Sequence, residues 1–405
     1  MELHFPIILD GATGTQLQLR GYAGGISAEQ WVLEHPEAIE DLHSKYIEAG
    51  SQVVYAPTFG ANRVKLEESG VFNQVSEYNH RLVEIAKKNA DGRALVAGDI
   101  SSTGKILAPL GDTRFEELYE IYLEQAEALE DAGVDLFVIE TMMSVPEARA
   151  ALLAVKSVSS KPVFVSFTCN ENGRTVMGTD PAAALVLFQR MGVDIFGLNC
   201  STGPDQMLKQ IRRLNRYAEV PLMAKPNAGL PQIVNGETVY DCPPDEFTAL
   251  QDEFAAAGVG VFGGCCGTSP DHVRLIAEKA KHGPFVRPEP DFGGKIAVPT
   301  EKDLYLLPPD LEIGRIYPCD DLLEDAFDEV DDSDDLIMTI EIKSEDELPD
   351  FEDVQFAIPR PLCILCNDAE LLEKALRLYQ GCAIYAGDLG DEELVPLSRK
   401  YGLII

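Results

Sequence analysis

The sequence is short of positive charge: 33 Lys and Arg stand against 68 Asp and Glu in 405 residues, a formal net charge of -35. A surface that acidic repels phosphate backbones and anionic lipid, which argues against nucleic acid and membrane as partners. Also missing is any run near the ~20 apolar residues of a membrane span. The opening residues, MELHFPIILDGATG, lack a basic start and a long apolar stretch, so no secretory signal is expected. There is no dinucleotide fingerprint after the first apolar run, since LDGATGT is not G-x-G-x-x-G. The nine cysteines are an odd number in a long chain, which argues against a disulfide framework and predicts reduced thiols in a cytoplasm.

What is present is 45% hydrophobic residues, enough for a large core and more than one domain. Short apolar runs at Pro6–Asp10, Gln52–Ala56, Ala94–Ala97, Leu136–Glu140, Pro162–Thr168, Ile195–Leu198, Pro221–Ala224 and Val259–Phe262 read as strands. Between them lie helical patterns such as Thr113–Ala132, Pro181–Met191 and Asp205–Tyr217. Such alternation over about 280 residues predicts an α/β fold, a (β/α)8 TIM barrel, with a doubly wound sheet as the alternative. Residues 301–405 hold 28 acidic and 8 basic residues, a net of -20, against -15 for residues 1–300. The Pro- and Gly-rich stretch before them reads as a linker. The expected organisation is therefore a barrel at 1–285, a linker at 286–303 and a smaller acidic C-terminal α/β domain at 304–405, structurally separate.

The chemistry gathers around VGVFGGCCGT, Val259 to Thr268. Flanking glycines allow Cys265 and Cys266, adjacent in sequence, to turn toward one point. Cys200 also follows a short apolar run, in IFGLNCSTGP. Three thiolates with a fourth position open would make a catalytic zinc site; three reduced core cysteines are the alternative. In a barrel, the residues after each strand share one face. Asp10-Gly11, Glu140-Thr141, Asn199-Cys200, Lys225-Pro226-Asn227 and Cys265-Cys266 then converge on one mouth, where carboxylates suit an ammonium group and thiols a metal. Singly, Asp10 also fits a turn residue and Glu140 a helix-start charge.

The motifs DGATGT, PTFGANRVKLEESG, GDISSTG, FVIETM, GTDPAA, GLNCSTGP, PNAG and FGGCCGT, in that order, resemble those of homocysteine S-methyltransferases. The likeness is strongest to the homocysteine-binding module of cobalamin-dependent methionine synthases and covers about residues 5–282. It implies a (β/α)8 barrel in which Cys200, Cys265 and Cys266 bind catalytic zinc. It also implies that Asp10, Gly11 and Glu140 hold the amino group and backbone of homocysteine, with Asn227 of PNAG as a further substrate contact. APTFGANR departs from the family's TNTFGANR, placing Ala56 and Pro57 near the mouth. The implied reaction turns homocysteine into methionine. A methylated corrinoid protein is the expected methyl donor, and S-methylmethionine, betaine, another thiol acceptor or a non-catalytic binding role are the alternatives.

In the C-terminal region, strands are expected at Leu336–Ile342, Val354–Ala357, Leu362–Cys366, Ala383–Tyr385 and Leu403–Ile405, and helices at Ala369–Tyr379 and Asp391–Lys400. The acidic stretch with Leu322, Leu323, Phe327 and Val330 at helical spacing predicts an exposed helix. PLCILCNDAE resembles the PLxIDSSxPE motif of pterin-binding domains, but Leu365 and Cys366 stand where Asp and Ser belong, which implies a shortened relative without folate binding. Cys363 and Cys366, three apart on a strand, face opposite ways and read as core residues.

Overall fold

A computed structural model of the chain describes residues 3–234, 237–281, 285–320 and 334–405. One sheet contains eight parallel strands: β1 (Ile7–Ile8), β2 (Val53–Tyr55), β3 (Leu95–Ile100), β4 (Leu136–Met142), β5 (Val163–Phe167), β6 (Ile195–Asn199), β7 (Leu222–Lys225) and β10 (Val259–Phe262). Between β7 and β10 runs an antiparallel hairpin of β8 (Gln232–Val234) and β9 (Glu237–Val239). The sheet order is β1-β10-β7-β6-β5-β4-β3-β2, with helices in the connections. This is the expected (β/α)8 barrel.

Period-two alternation builds it. Leu136 and Val138 of β4 face the lumen with Val53, Phe164, Ile195 and Met223 in one apolar cluster. Phe137 and Ile139, the intervening residues, face outward into a larger cluster with the surrounding helices. The helix Phe115–Asp131 buries Phe115, Leu118, Tyr122 and Leu129, the three-to-four spacing that turns one stripe toward the sheet. Between β1 and β2 no ladder is formed, and single groups close the seam. The Gln52 N–H donates to the Ile8 carbonyl at 2.7 Å, and Gln52 Oε1 accepts from the Ile8 N–H at 2.8 Å. Higher up, Asp10 Oδ2 accepts from the Tyr55 N–H at 2.8 Å.

Beyond the barrel, β11 (Ile296–Pro299) and β12 (Leu304–Leu307) form an antiparallel hairpin, so part of the expected linker is ordered strand. Four parallel strands follow in the order β13 (Ile316–Pro318), β14 (Met338–Glu341), β15 (Leu362–Leu365) and β16 (Ile384–Ala386). The Val354–Ala357 run is not a strand. It ends the helix Leu348–Val354, started by Pro349, and continues as a single 3-10 turn over Gln355–Ala357. At the C-terminus only Ile404 makes a bridge, to Ile384. The expected acidic helix falls on residues 321–333 and lies outside the described residues. Cys363 and Cys366 are buried, and all nine cysteines are free.

The C-terminal sheet shares one continuous apolar core with the outer helices of the barrel, which differs from the separate unit expected. Arg149, fully buried on the helix Val145–Val158, donates to the Leu376 carbonyl and, at 2.8 Å, to the Arg377 carbonyl, where the helix Ala369–Leu378 ends. Its guanidinium lies 5.5 Å from the Phe115 ring centroid and 5.6 Å from that of Tyr401. Burial pushes its pKa down only to about 10, so it stays charged at neutral pH and complements the negative end of that helix. Arg149→Met should cost on the order of 3 kcal/mol in urea unfolding, because two charge-assisted bonds vanish and buried carbonyls lose their donors. Unchanged stability would show that this junction does not brace the fold.

Candidate active site

The lumen alternation continues upward past the apolar layers. In phase with Ala97, Val138, Ile195 and Met223 come Asp99, Glu140, Asn199 and Lys225, all buried. Above them opens a cavity of about 260 Å³ at the C-terminal ends of the strands, lined by Gly11, Tyr55, Asp99, Glu140, Lys225 and the three cysteines Cys200, Cys265 and Cys266, among others. A larger depression of about 830 Å³ lies at the opposite end, where Pro6 and Gln52 precede their strands. It is lined by none of these groups, and barrel chemistry sits at the C-terminal face.

The three Sγ atoms lie within 4.8 Å of one another, with Cys200 and Cys266 3.9 Å apart. Backbone bonds between strand ends bring them there. The Cys200 N–H donates to the Lys225 carbonyl at 3.0 Å, Cys265 N–H to Pro226 at 2.9 Å, and Ala228 N–H to the Cys266 carbonyl at 2.9 Å. Cys200 and Ser201 hold left-handed φ values of 62° and 59°, a conformation L residues take only when the surroundings impose it. Gly267 has φ 81°, and a Cβ there would lie 2.3 Å from Tyr240. Thr268 Oγ1 donates to the Cys265 carbonyl at 2.7 Å and accepts from the Ala12 N–H at 3.0 Å, tying the cysteine turn to the β1 loop. Without a cation the three thiols share protons: bonds from Cys265 and Cys266 hold Cys200 far below its ordinary pKa, while Cys266 rises to about 11. The donor set fits a thiophilic divalent ion, because three thiolates so close repel one another unless a cation lies between them.

Asp10 is 1% exposed and splits its work. Oδ2 closes the barrel seam, and Oδ1 has no partner. Burial, outweighing Lys225 and the Tyr55 N–H, raises its pKa to about 7. Gly11 comes so close to Tyr46 that a Cβ would meet its hydroxyl at 2.7 Å. Glu140 Oε2 takes the Lys225 ammonium at 2.7 Å, with both side chains below a tenth exposed. Asn199 anchors the next turn: Oδ1 accepts from the Thr141 N–H at 3.0 Å and the Ser166 hydroxyl at 2.9 Å, and Nδ2 donates to Thr141 Oγ1 at 2.7 Å. Asn227 is buried and is not among the cavity-lining residues. It lies against Cys200, whose pKa it helps to lower, and its Oδ1 has no partner. Pro57 lines the cavity, so the departure at Ala56-Pro57 does reach its wall.

Two carboxylates in the cavity had not been singled out. Asp99 lies inside β3, which runs on to Ile100 rather than stopping at Ala97. Counting the alternation two residues further would have found it. Glu29 stands on the helix Ala28–Glu34 in the β1–β2 connection and accepts the Gly60 N–H at 2.7 Å. No periodicity marks it. Burial raises the pKa of both.

Comparison with known proteins agrees with this arrangement. The pattern describing "Homocysteine S-methyltransferase" matches residues 7–280. The methionine synthases of Mycobacterium leprae and Mycobacterium tuberculosis are 34% and 33% identical over 286 residues, covering 66% of this chain. The match is 24% of their length, so the chain spans about a quarter of these relatives. Among solved structures, the metallated form of the homocysteine methyltransferase MmuM from Escherichia coli is 25% identical with a TM-score of 0.57, covering 68% of this chain and 96% of that one. Its apo form, at 23% identity and a TM-score of 0.55, shares the fold. With the family pattern spanning the whole barrel, the chain belongs to the homocysteine S-methyltransferase family.

Proposed function

We propose that the chain transfers a methyl group to the thiol of homocysteine, giving methionine, with zinc held by Cys200, Cys265 and Cys266. The observation that carries this is the convergence of three thiols within 4.8 Å on the same small cavity as Gly11 and Glu140, with buried Asp10 next to Gly11 in sequence, in a chain of this family. Zinc, when bound, supplies Lewis acidity that keeps a substrate sulfur deprotonated at neutral pH. The protein's own part is orientation. Asp10 Oδ1 is free to take an ammonium, Glu140 presents a second carboxylate, Gly11 lets the acceptor approach the backbone, and Asn227 supports Cys200. The motif likeness to the homocysteine-binding module of cobalamin-dependent methionine synthases favours a methylated corrinoid protein as donor. So does the exposed apolar loop beyond β7, with Leu230, Ile233 and Val234, which suits a macromolecular partner better than solvent. Residues 1–285 carry this chemistry in our reading, and residues 304–405 brace the barrel from outside. Free cysteines throughout fit a reducing cytoplasm, and among the described residues no helix is long and apolar enough to cross a membrane.

A donor screen tests the reading. Zinc-loaded protein and homocysteine, offered a methylcobalamin-carrying protein, S-methylmethionine or betaine, should form methionine from the first. Turnover with only a small donor would overturn the corrinoid assignment, and none with any donor would overturn the reaction.

Binding should also follow the Asp10 proton. With a folded pKa near 7, Asp10 must release a proton to meet an ammonium at lower pH. Affinity for methionine, whose sulfur carries no proton, should fall about tenfold per unit below pH 7 and level off above it. The same raised pKa makes the unliganded fold lose stability as pH rises from about 4 toward 7, since the folded state binds the proton more tightly. Asp10→Asn should flatten both profiles; a methionine affinity independent of pH in the unaltered protein would remove Asp10 from the ammonium site.

A further inference from the structure

Lys225 is the one cationic side chain among the residues lining the cavity, which also include three carboxylates, Glu29, Asp99 and Glu140. It is a costly residue to place there. The side chain is 3% exposed, and its ammonium sits 2.7 Å from Glu140 Oε2 and 3.8 Å from the centroid of the Tyr55 ring. Pairing with Glu140 alone does not explain it, because a buried ion pair generally adds little over apolar residues of the same volume. The cavity explains it better. A negatively charged group entering a pocket walled by three carboxylates is repelled unless a cation meets it. Lys225 is the only side chain there that can.

An α-amino acid carries an ammonium and a carboxylate on the same carbon, so its two charges enter side by side. Lys225 and Glu140 present the complementary pair, also side by side. The Glu140 carboxylate and the unpartnered Oδ1 of Asp10 suit the ammonium, and Lys225, with two ammonium protons not directed at Glu140, suits the carboxylate. The Lys225 carbonyl also accepts the Cys200 N–H at 3.0 Å. The group that would hold the carboxylate end is thus fixed by backbone to a residue of the sulfur end.

We propose that Lys225 reads the α-carboxylate of the acceptor and thereby restricts the site to thiols that are amino acids. It is a specificity-determining contact, and it rests on the homocysteine reading above.

The test compares homocysteine with its decarboxylated form, an aminopropanethiol, by calorimetry on the zinc-loaded full chain. A charge-assisted contact makes homocysteine bind about ten- to a hundredfold more tightly. In Lys225→Met that preference should collapse to within about threefold, and Lys225→Arg, which keeps the charge, should retain part of it. Zinc content is measured alongside, so that a general disturbance of the site is recognised by loss of metal rather than of discrimination. A preference unchanged in Lys225→Met overturns the proposal. If that variant does not fold, the unaltered protein still decides: equal affinity for the two thiols refutes the contact. Failure of homocysteine itself to bind would instead overturn the acceptor reading, and this proposal with it.

Discussion

Cys200→Ala should strip the metal from the protein and abolish methyl transfer. The three thiols come from the ends of two different strands, β6 and β10, and all three point at one space. Removing one leaves two ligands, too few for the closed part of a catalytic zinc site. Zinc content should fall from about one per chain to a small fraction, in Cys265→Ala and Cys266→Ala alike. Losing several kcal/mol of Lewis-acid stabilisation should lower kcat/KM by at least about a thousandfold. Cys242→Ala is the control: that cysteine is free and half-buried but lies outside the cluster. Emission spectrometry on the dialysed variants reads the result directly. Full zinc retention in Cys200→Ala would sink the three-thiolate assignment, since Cys200 is the one thiol of the cluster that comes from the end of β6.

Glu140→Gln should be costly in a different way. It leaves zinc in place but puts the Lys225 ammonium, 3% exposed, beside an amide instead of a carboxylate. Breaking a buried pair by neutralising one partner typically costs about 3–5 kcal/mol. Asp10 nearby should hold the loss toward the lower end, because it adds attraction on the Lys225 charge. The same change removes one charge-assisted contact from the acceptor, weakening homocysteine by a further 1.5–3 kcal/mol or so. Adding Lys225→Met should restore much of the stability and none of the binding. Denaturant unfolding of the two single variants and the double variant, with calorimetry on each, separates the effects. If Glu140→Gln is as stable as the unaltered chain and the double variant gains nothing, the pair is not the electrostatic centre of the lumen.

Much of this was legible in the chain. The alternation of short apolar runs with amphipathic stretches specifies the barrel, because a parallel strand buried on both faces has few other solutions. The run Val259–Phe262 appears as a strand with those same limits, and Asp10, Cys200, Cys265 and Cys266 follow strand ends, where a barrel puts its chemistry, while Glu140 lies inside β4, which runs on to Met142. Their types, thiols and carboxylates, suit a metal and an ammonium group.

Tertiary structure decided the rest, and in each case the reason is that the partner is far away in sequence. That Asp10 spends one oxygen on Tyr55 follows from the unladdered seam between β1 and β2, which no local pattern reveals. The pairing of Lys225 with Glu140 spans 85 positions and exists because alternate residues of β4 and β7 both face the lumen. Asp99 joins them because β3 extends three residues beyond its apolar run, held by its neighbours β2 and β4 rather than by its own propensity. Arg149 reads as an ordinary helix residue until the helix Ala369–Leu378 ends on top of it and its charge has carbonyls to meet. The sequence by itself determined the fold class and which residue types meet at the mouth. Which atoms are already engaged and which remain free for a substrate was settled only when distant strands closed into a barrel.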